Sequence, residues 1–282
     1  MAGDLTVLSE QKCFDGTMGF YSHESEATGG TMRFAVFRPA GKGPFPVLTW
    51  LAGLTCTEET FMIKAEAQRY AAEAGLLLVA PDTSPRGHNI PGEAESWDFG
   101  VGAGFYLDAT QAPWSAHWRM ESYVVDELNA LVTASFPADA SRQGLFGHSM
   151  GGHGALTLAL RHKDRWRSVS AFAPISAPMR CPWGIKAFTG YLGPDRSKWA
   201  EHDATELLKS RGPLPFEILV DQGLADKFLD EQLKPELLEE AAKAAGQQLT
   251  LRRHEGYDHS YWFIQTFMVD HIAHHAKALT AV

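Results

Sequence analysis

Gly147-His148-Ser149-Met150-Gly151 forms a G-x-S-x-G segment, extended by Gly152 and Gly154. Gln143 to Phe146 reads as a short strand before it, and Gly152 to His162 as a helix after it. That context suits a nucleophilic serine, which needs a tight strand-to-helix turn to lift its hydroxyl into open space. Side chains at Gly147 and Gly151 would collide with the neighbouring elements. The Met150 N–H falls at a helix N-terminus, where it can hold a developing oxyanion. The plainer alternative is a glycine-rich connection whose serine caps the helix. The strand and helix on either side favour the nucleophile.

A serine hydroxyl needs a base to take its proton and a carboxylate to orient that base, in the chain order Ser, acid, His for this kind of turn. The chain has twelve histidines. His259, in Gly256-Tyr257-Asp258-His259-Ser260, follows a strand, precedes the last helix and is the best placed. His254 ends a strand and competes weakly. His148 points away from its neighbour, His153 lies one turn into the helix, and His271, His274 and His275 read as surface or packing residues. For the acid, Asp221 sits at the end of a strong strand, Asp226 beyond a glycine turn, and Asp230 on a helix. Spacing favours Asp226 over Asp221 only slightly. A second oxyanion donor belongs in the loop Leu51-Ala-Gly-Leu-Thr-Cys-Thr57, with the Leu54 N–H the candidate and Gly53 letting the backbone approach a substrate.

The elements that must position these groups alternate along the chain. Arg33 to Arg38, Pro46 to Leu51, Gly75 to Ala80, Phe216 to Asp221 and Gln248 to Arg253 read as strands. Continuous apolar runs among them suit strands covered on both faces. Glu58 to Ala74, Glu121 to Phe136, Asp230 to Ala245 and Ser260 to Ala278 read as helices. The pattern predicts one α/β domain over residues 1–282, with a mostly parallel central sheet and helices on both faces. Arg86 to Trp118 breaks the alternation and is expected to be a long functional loop. With 25 Lys plus Arg against 34 Asp plus Glu, the net charge is −9. No basic face suggests nucleic acid or an anionic bilayer as partner, and no apolar run could span a membrane. No signal peptide is visible, and Cys13, Cys56 and Cys181 lack metal-type spacing, so a reducing cytoplasm is expected.

Five segments together carry more than the serine motif alone: Leu51 to Thr57, Trp97 to Tyr106, Gly147 to Leu156, Asp221 to Phe228 and Gly256 to Tyr261. In these the chain resembles the S-formylglutathione hydrolase (esterase D) family over nearly its whole length. The resemblance implies an α/β-hydrolase fold, with Ser149 as nucleophile, His259 as base and Asp226, not Asp221, as acid. It also implies the Leu54 and Met150 N–H groups as oxyanion hole, no cofactor or metal, and a homodimer. The implied reaction hydrolyses a glutathione thioester, S-formylglutathione, to formate and glutathione, the last step of formaldehyde detoxification. A general short-chain carboxylesterase or acetylesterase is the alternative, since related folds host many acyl transfers.

Formyl is the smallest acyl group, so a tight pocket is expected. Trp97 and Trp183 are candidate walls, with burial in the core the commoner fate of such rings. Lys64, Arg86 and Lys186 are cations that could offset the acidic surface for an anionic substrate, although exposed cations are commonly just solvated. Cys56, close to the proposed oxyanion loop, is expected to be a small buried hydrophobe. The sharper reading is a thiol whose modification blocks the site. The Asp270-His271 and His274-His275 pairs have helical ligand spacing, but a surface cluster is the commoner reading.

Overall fold

The computed structural model describes residues 5–280, so residues 1–4, read above for a signal peptide, lie outside it. Its centre is one nine-stranded sheet made of β1 (Thr6–Cys13), β2 (Gly16–Ser25), β3 (Gly30–Arg38), β4 (Phe45–Leu51), β5 (Leu77–Pro81), β6 (Ala138–His148), β7 (Ser168–Phe172), β8 (Ile218–Gly223) and β9 (Leu249–His254). The spatial order is β1-β2-β3-β5-β4-β6-β7-β8-β9. Strands β1 to β3 form an antiparallel flank that joins β5. From β5 through β4 and β6 to β9 every pairing is parallel. A mostly parallel sheet in an α/β arrangement is therefore what the chain builds. The strand order reverses around β4, and in open α/β sheets ligands bind at the carboxyl ends of the strands near such a switch.

The helices are α1 (Glu58–Lys64), α2 (Ala67–Ala74), α3 (Met120–Ser122), α4 (Asn129–Ser135), α5 (Met150–Arg161), α6 (Pro182–Leu192), α7 (Ala204–Arg211), α8 (Pro235–Ala245) and α9 (Tyr261–Leu279). A π-helical stretch, Tyr123–Leu128, carries α3 into α4. Two expected helices are interrupted. The span 58–74 breaks where Glu66 takes a left-handed conformation, φ 56°. The span 230–245 breaks at Lys234, φ 49°, because the residue before a proline avoids the right-handed helical region. Helices α5 and α9 both pack on β6 and β7. Ser168, Ser170 and Phe172 of β7 turn to α9. Side chains alternate along a strand, so Val169 and Ala171 turn to the opposite face and are fully buried.

Strand β7 and helices α6 and α7 were not expected from the sequence. In β7 the serines interrupt the apolar run that signals a buried strand, and only α9 explains them. Among the described residues no helix is long and apolar enough to cross a membrane.

Candidate active site

Strand β6 delivers Ser149 to a turn with φ 58° and ψ −118°, after which α5 begins. Such a conformation costs a non-glycine residue about 1–3 kcal/mol and persists only where its surroundings enforce it. Here the Ser149 N–H donates to the Phe172 carbonyl (3.0 Å), and the Ser149 carbonyl accepts from Ile175 (3.2 Å). A Cβ at Gly147 would lie 2.3 Å from the Gly151 carbonyl oxygen, and one at Gly151 would lie 1.9 Å from that of Leu51. Close packing of β4, β6 and α5 thus requires both glycines. Gly53 lines the cavity beside Ser149, and a Cβ there would meet Ser149 Cβ at 3.3 Å and the His148 ring, so the serine turn leaves it little room for a side chain.

His259 Nδ1 lies 2.5 Å from Asp226 Oδ2. The other Asp226 oxygen accepts the Phe228 N–H at 2.9 Å, which fixes the carboxylate in the loop after β8. Phe228 packs edge-on against the His259 ring. Asp221 is occupied elsewhere. It is fully buried, Arg252 grips both its oxygens at 2.6 Å, and His271 Nε2 stands 3.2 Å away. Burial alone would raise its pKa, but the His271 and Arg252 hydrogen bonds outweigh that and hold it below the usual carboxylate range. His254 joins this cluster, 3.2 Å from Asp221 Oδ1, and stacks on Phe267. His153 is buried within α5, with Nε2 near the Phe105 carbonyl, and burial pulls its pKa down to about 3. His148 lies against His259, with ring centroids 4.3 Å apart, and burial holds it neutral.

The loop after β4 carries Leu54, and its shape is set by residues 86–118. The Tyr106 hydroxyl donates to the Ala52 carbonyl at 2.8 Å, and Thr55 N–H donates to the Gly102 carbonyl at 2.9 Å. Gly154 lets α5 approach the Tyr106 ring, where a Cβ would lie 2.5 Å away. Tyr106 was not singled out in the sequence, although a glycine within a helix hinted at a close neighbour. Leu54 lines the same cavity as Ser149, and Met150 is the first residue of α5, whose opening N–H groups have no partner within the helix.

The cavity measures about 280 Å³ and is lined by Ser149, His148, His259, Gly53, Leu54, Cys56, Thr60, Lys64, Trp97, Trp183, Phe228 and Tyr261. Both tryptophans face it, their rings perpendicular at 5.6 Å. Trp183 is buried, but Trp97 is 55% exposed and so belongs to the cavity wall, not to the core. Of the three cations considered, Arg86 is clamped by Asp82 and Lys186 pairs with Asp98, which leaves Lys64 at the cavity. Cys56 is partly buried, and burial raises its pKa, which keeps it a thiol instead of a reactive thiolate. On α9, His271 and His275 are fully buried and hydrogen-bonded, which excludes a surface cluster.

The family model described as "Putative esterase" matches residues 25–274. The S-formylglutathione hydrolase of Mus musculus is 53% identical over 280 residues, covering 98% of this chain and 99% of that protein. This chain belongs to the S-formylglutathione hydrolase family of esterases. The family likeness reaches plants, with 53% identity to the Arabidopsis thaliana S-formylglutathione hydrolase over 99% of both chains. It holds in three dimensions as well. A solved S-formylglutathione hydrolase from Agrobacterium tumefaciens superimposes with a TM-score of 0.94 at 50% identity, covering 97% of this chain and 99% of that one. The fold is accordingly that of the α/β-hydrolase esterases.

Proposed function

We propose that the protein is a serine thioesterase that hydrolyses S-formylglutathione to formate and glutathione, with Ser149, His259 and Asp226 as nucleophile, base and acid. The observation that carries the reading is the 2.5 Å contact between His259 Nδ1 and Asp226, made beside the cavity that also holds Ser149. In this reading Asp226 keeps the proton on Nδ1, which leaves Nε2 free to take the Ser149 proton as Oγ attacks the formyl carbon. The oxyanion is held by the Leu54 and Met150 N–H groups, where each such donor is worth about 2.7–4 kcal/mol in the transition state. The C–S bond then breaks as the His259 imidazolium gives the Ser149 proton to the leaving sulfur, which returns the base to its neutral form. The leaving thiol has a pKa of roughly 8.5, by analogy with cysteine, so its protonation is less demanding than for an alkoxide. Water, deprotonated by His259, attacks the formyl-serine, and the proton passes to Ser149 Oγ as formate leaves.

The step fits glutathione-dependent removal of formaldehyde in the cytoplasm, by one catalytic domain spanning 1–282 and working as a homodimer. Neither nucleic acid, membrane nor a cofactor enters the reading. Ser149→Ala is expected to stay folded and lose at least a thousandfold in kcat on S-formylglutathione. Undiminished turnover would reject the mechanism. A higher kcat/KM on a short aryl or sugar acetate than on the thioester would favour a general carboxylesterase instead.

A further inference from the structure

The 280 Å³ cavity is at the small end of ligand sites, and a tripeptide thioester must extend beyond it. Two grooves leave it. One, of about 470 Å³, shares Phe228 and His259 with the cavity and is flanked by Lys227 and Asp258. The other, of about 590 Å³, shares Lys64 and Tyr261 and runs between the end of α1 and the start of α9.

The place of the cation and the exposed apolar surface distinguish them. Lys227 in the first groove already lies over the Phe228 ring, 4.9 Å from its centre. Beside it, Asp258 is ionised, its carboxylate held by the Ser260 hydroxyl and N–H. The pair is one cation and one anion, as in the second groove, but Lys227 does not line the cavity itself. In the second groove, Lys64 stands at the junction with the cavity, 5.9 Å from the Tyr261 ring centre, and Glu66 lies farther along. One cation and one anion in sequence complement a zwitterionic amino-acid end. Lastly, Trp262 and Ile63, at 74% and 67%, are the two most exposed large apolar side chains among the described residues, and both line this groove. Exposed apolar side chains gathered beside a cavity mark a contact surface.

We propose that the groove between α1 and α9 binds the glutathionyl part of the substrate, with Lys64 receiving a carboxylate and Trp262 with Ile63 covering the peptide. This rests on the hydrolase reading above and adds where the leaving group lies. It makes Lys64 a specificity-determining residue, since a simple ester has no carboxylate to offer it.

The test uses S-methylglutathione, an unreactive thioether, as a competitor of aryl acetate hydrolysis by the intact protein. We expect competitive inhibition, with Ki raised about tenfold in Lys64→Glu, as loss of one charge-assisted contact would give. A smaller rise is expected in Lys64→Met and Trp262→Ala, and a change below twofold in Lys227→Glu. No inhibition of the wild type, or a Ki that follows Lys227 and ignores Lys64, overturns the proposal. So does a Trp262→Ala variant that turns a sedimenting dimer into monomer with Ki unchanged, since the groove would then be a contact between copies. If the wild type fails to hydrolyse S-formylglutathione while Lys64-dependent inhibition persists, the hydrolase reading falls and the groove stands.

Discussion

Two aspartates five positions apart, both excluded from solvent, serve different partners: Asp226 faces His259, and Asp221 faces Arg252 and His271. Their amides should therefore fail differently. Asp226→Asn leaves the loop shape but disturbs the imidazole tautomer, and on the proposed mechanism kcat should drop by about 10⁴-fold with little change in Tm. Asp221→Asn removes the fully buried charge held by His271 and by Arg252, which is itself 32% exposed and keeps Asp270, and loss of such hydrogen bonds should cost about 1–3 kcal/mol. Its Tm should fall steeply while kcat per folded molecule survives. Thermal unfolding and turnover measured on both variants decide the matter, and the reverse pattern would reassign the acid. In sequence Asp221 ends a strand and Asp226 lies beyond a glycine turn, and spacing alone favours Asp226 only slightly. Chain direction after Gly223 is what separates them, and that is a property of the fold. Gly147 and Gly151, by contrast, were legible from the G-x-S-x-G spacing, and in the structure a backbone oxygen lies within 2.3 Å of each would-be Cβ.

Between β7 and α9, individual contacts join into a directed chain. Asp221 is ionised and only accepts, so His271 must carry its proton on Nε2. His271 Nδ1 then accepts from the Ser170 hydroxyl (2.7 Å), whose oxygen accepts from His275 Nε2–H (2.8 Å), and His275 Nδ1 accepts from Ser168 (2.6 Å). Every hydrogen bond points towards Asp221. Nitrogen-15 spectra should find both imidazoles neutral and protonated on Nε2, and an Nδ1–H signal from either would contradict the chain. Ser170→Ala would leave two buried nitrogens without partners and should cost about 1–3 kcal/mol for each unsatisfied group. The same chain explains why β7 escaped notice, because its serines look like a loop until α9 supplies their partners. Elements whose signal is internal, such as β4, β5 and α5, were legible. Those fixed by a neighbour, such as β7, were not.

At the scale of the molecule, burial lowers the pKa of eight of the twelve histidines. In the unfolded chain these groups titrate near 6.5. Folding keeps them neutral to lower pH, down to about 3 for His153 and about 4 for His202. Below pH 6.5 the unfolded state therefore binds more protons, and stability falls with pH from there rather than from the carboxylate range. Tm should be flat above pH 7 and decline steadily between 6.5 and 4.5. A constant Tm across that interval would refute the account. The sheet also fixes when a growing polypeptide can first work. Ser149 follows β6 near the middle of the sheet, whereas His259 follows β9, its last strand and outer edge, more than a hundred residues later. A nascent chain on the ribosome thus exposes its serine long before it owns a base, and on the proposed mechanism no fragment ending short of β9 can turn over substrate.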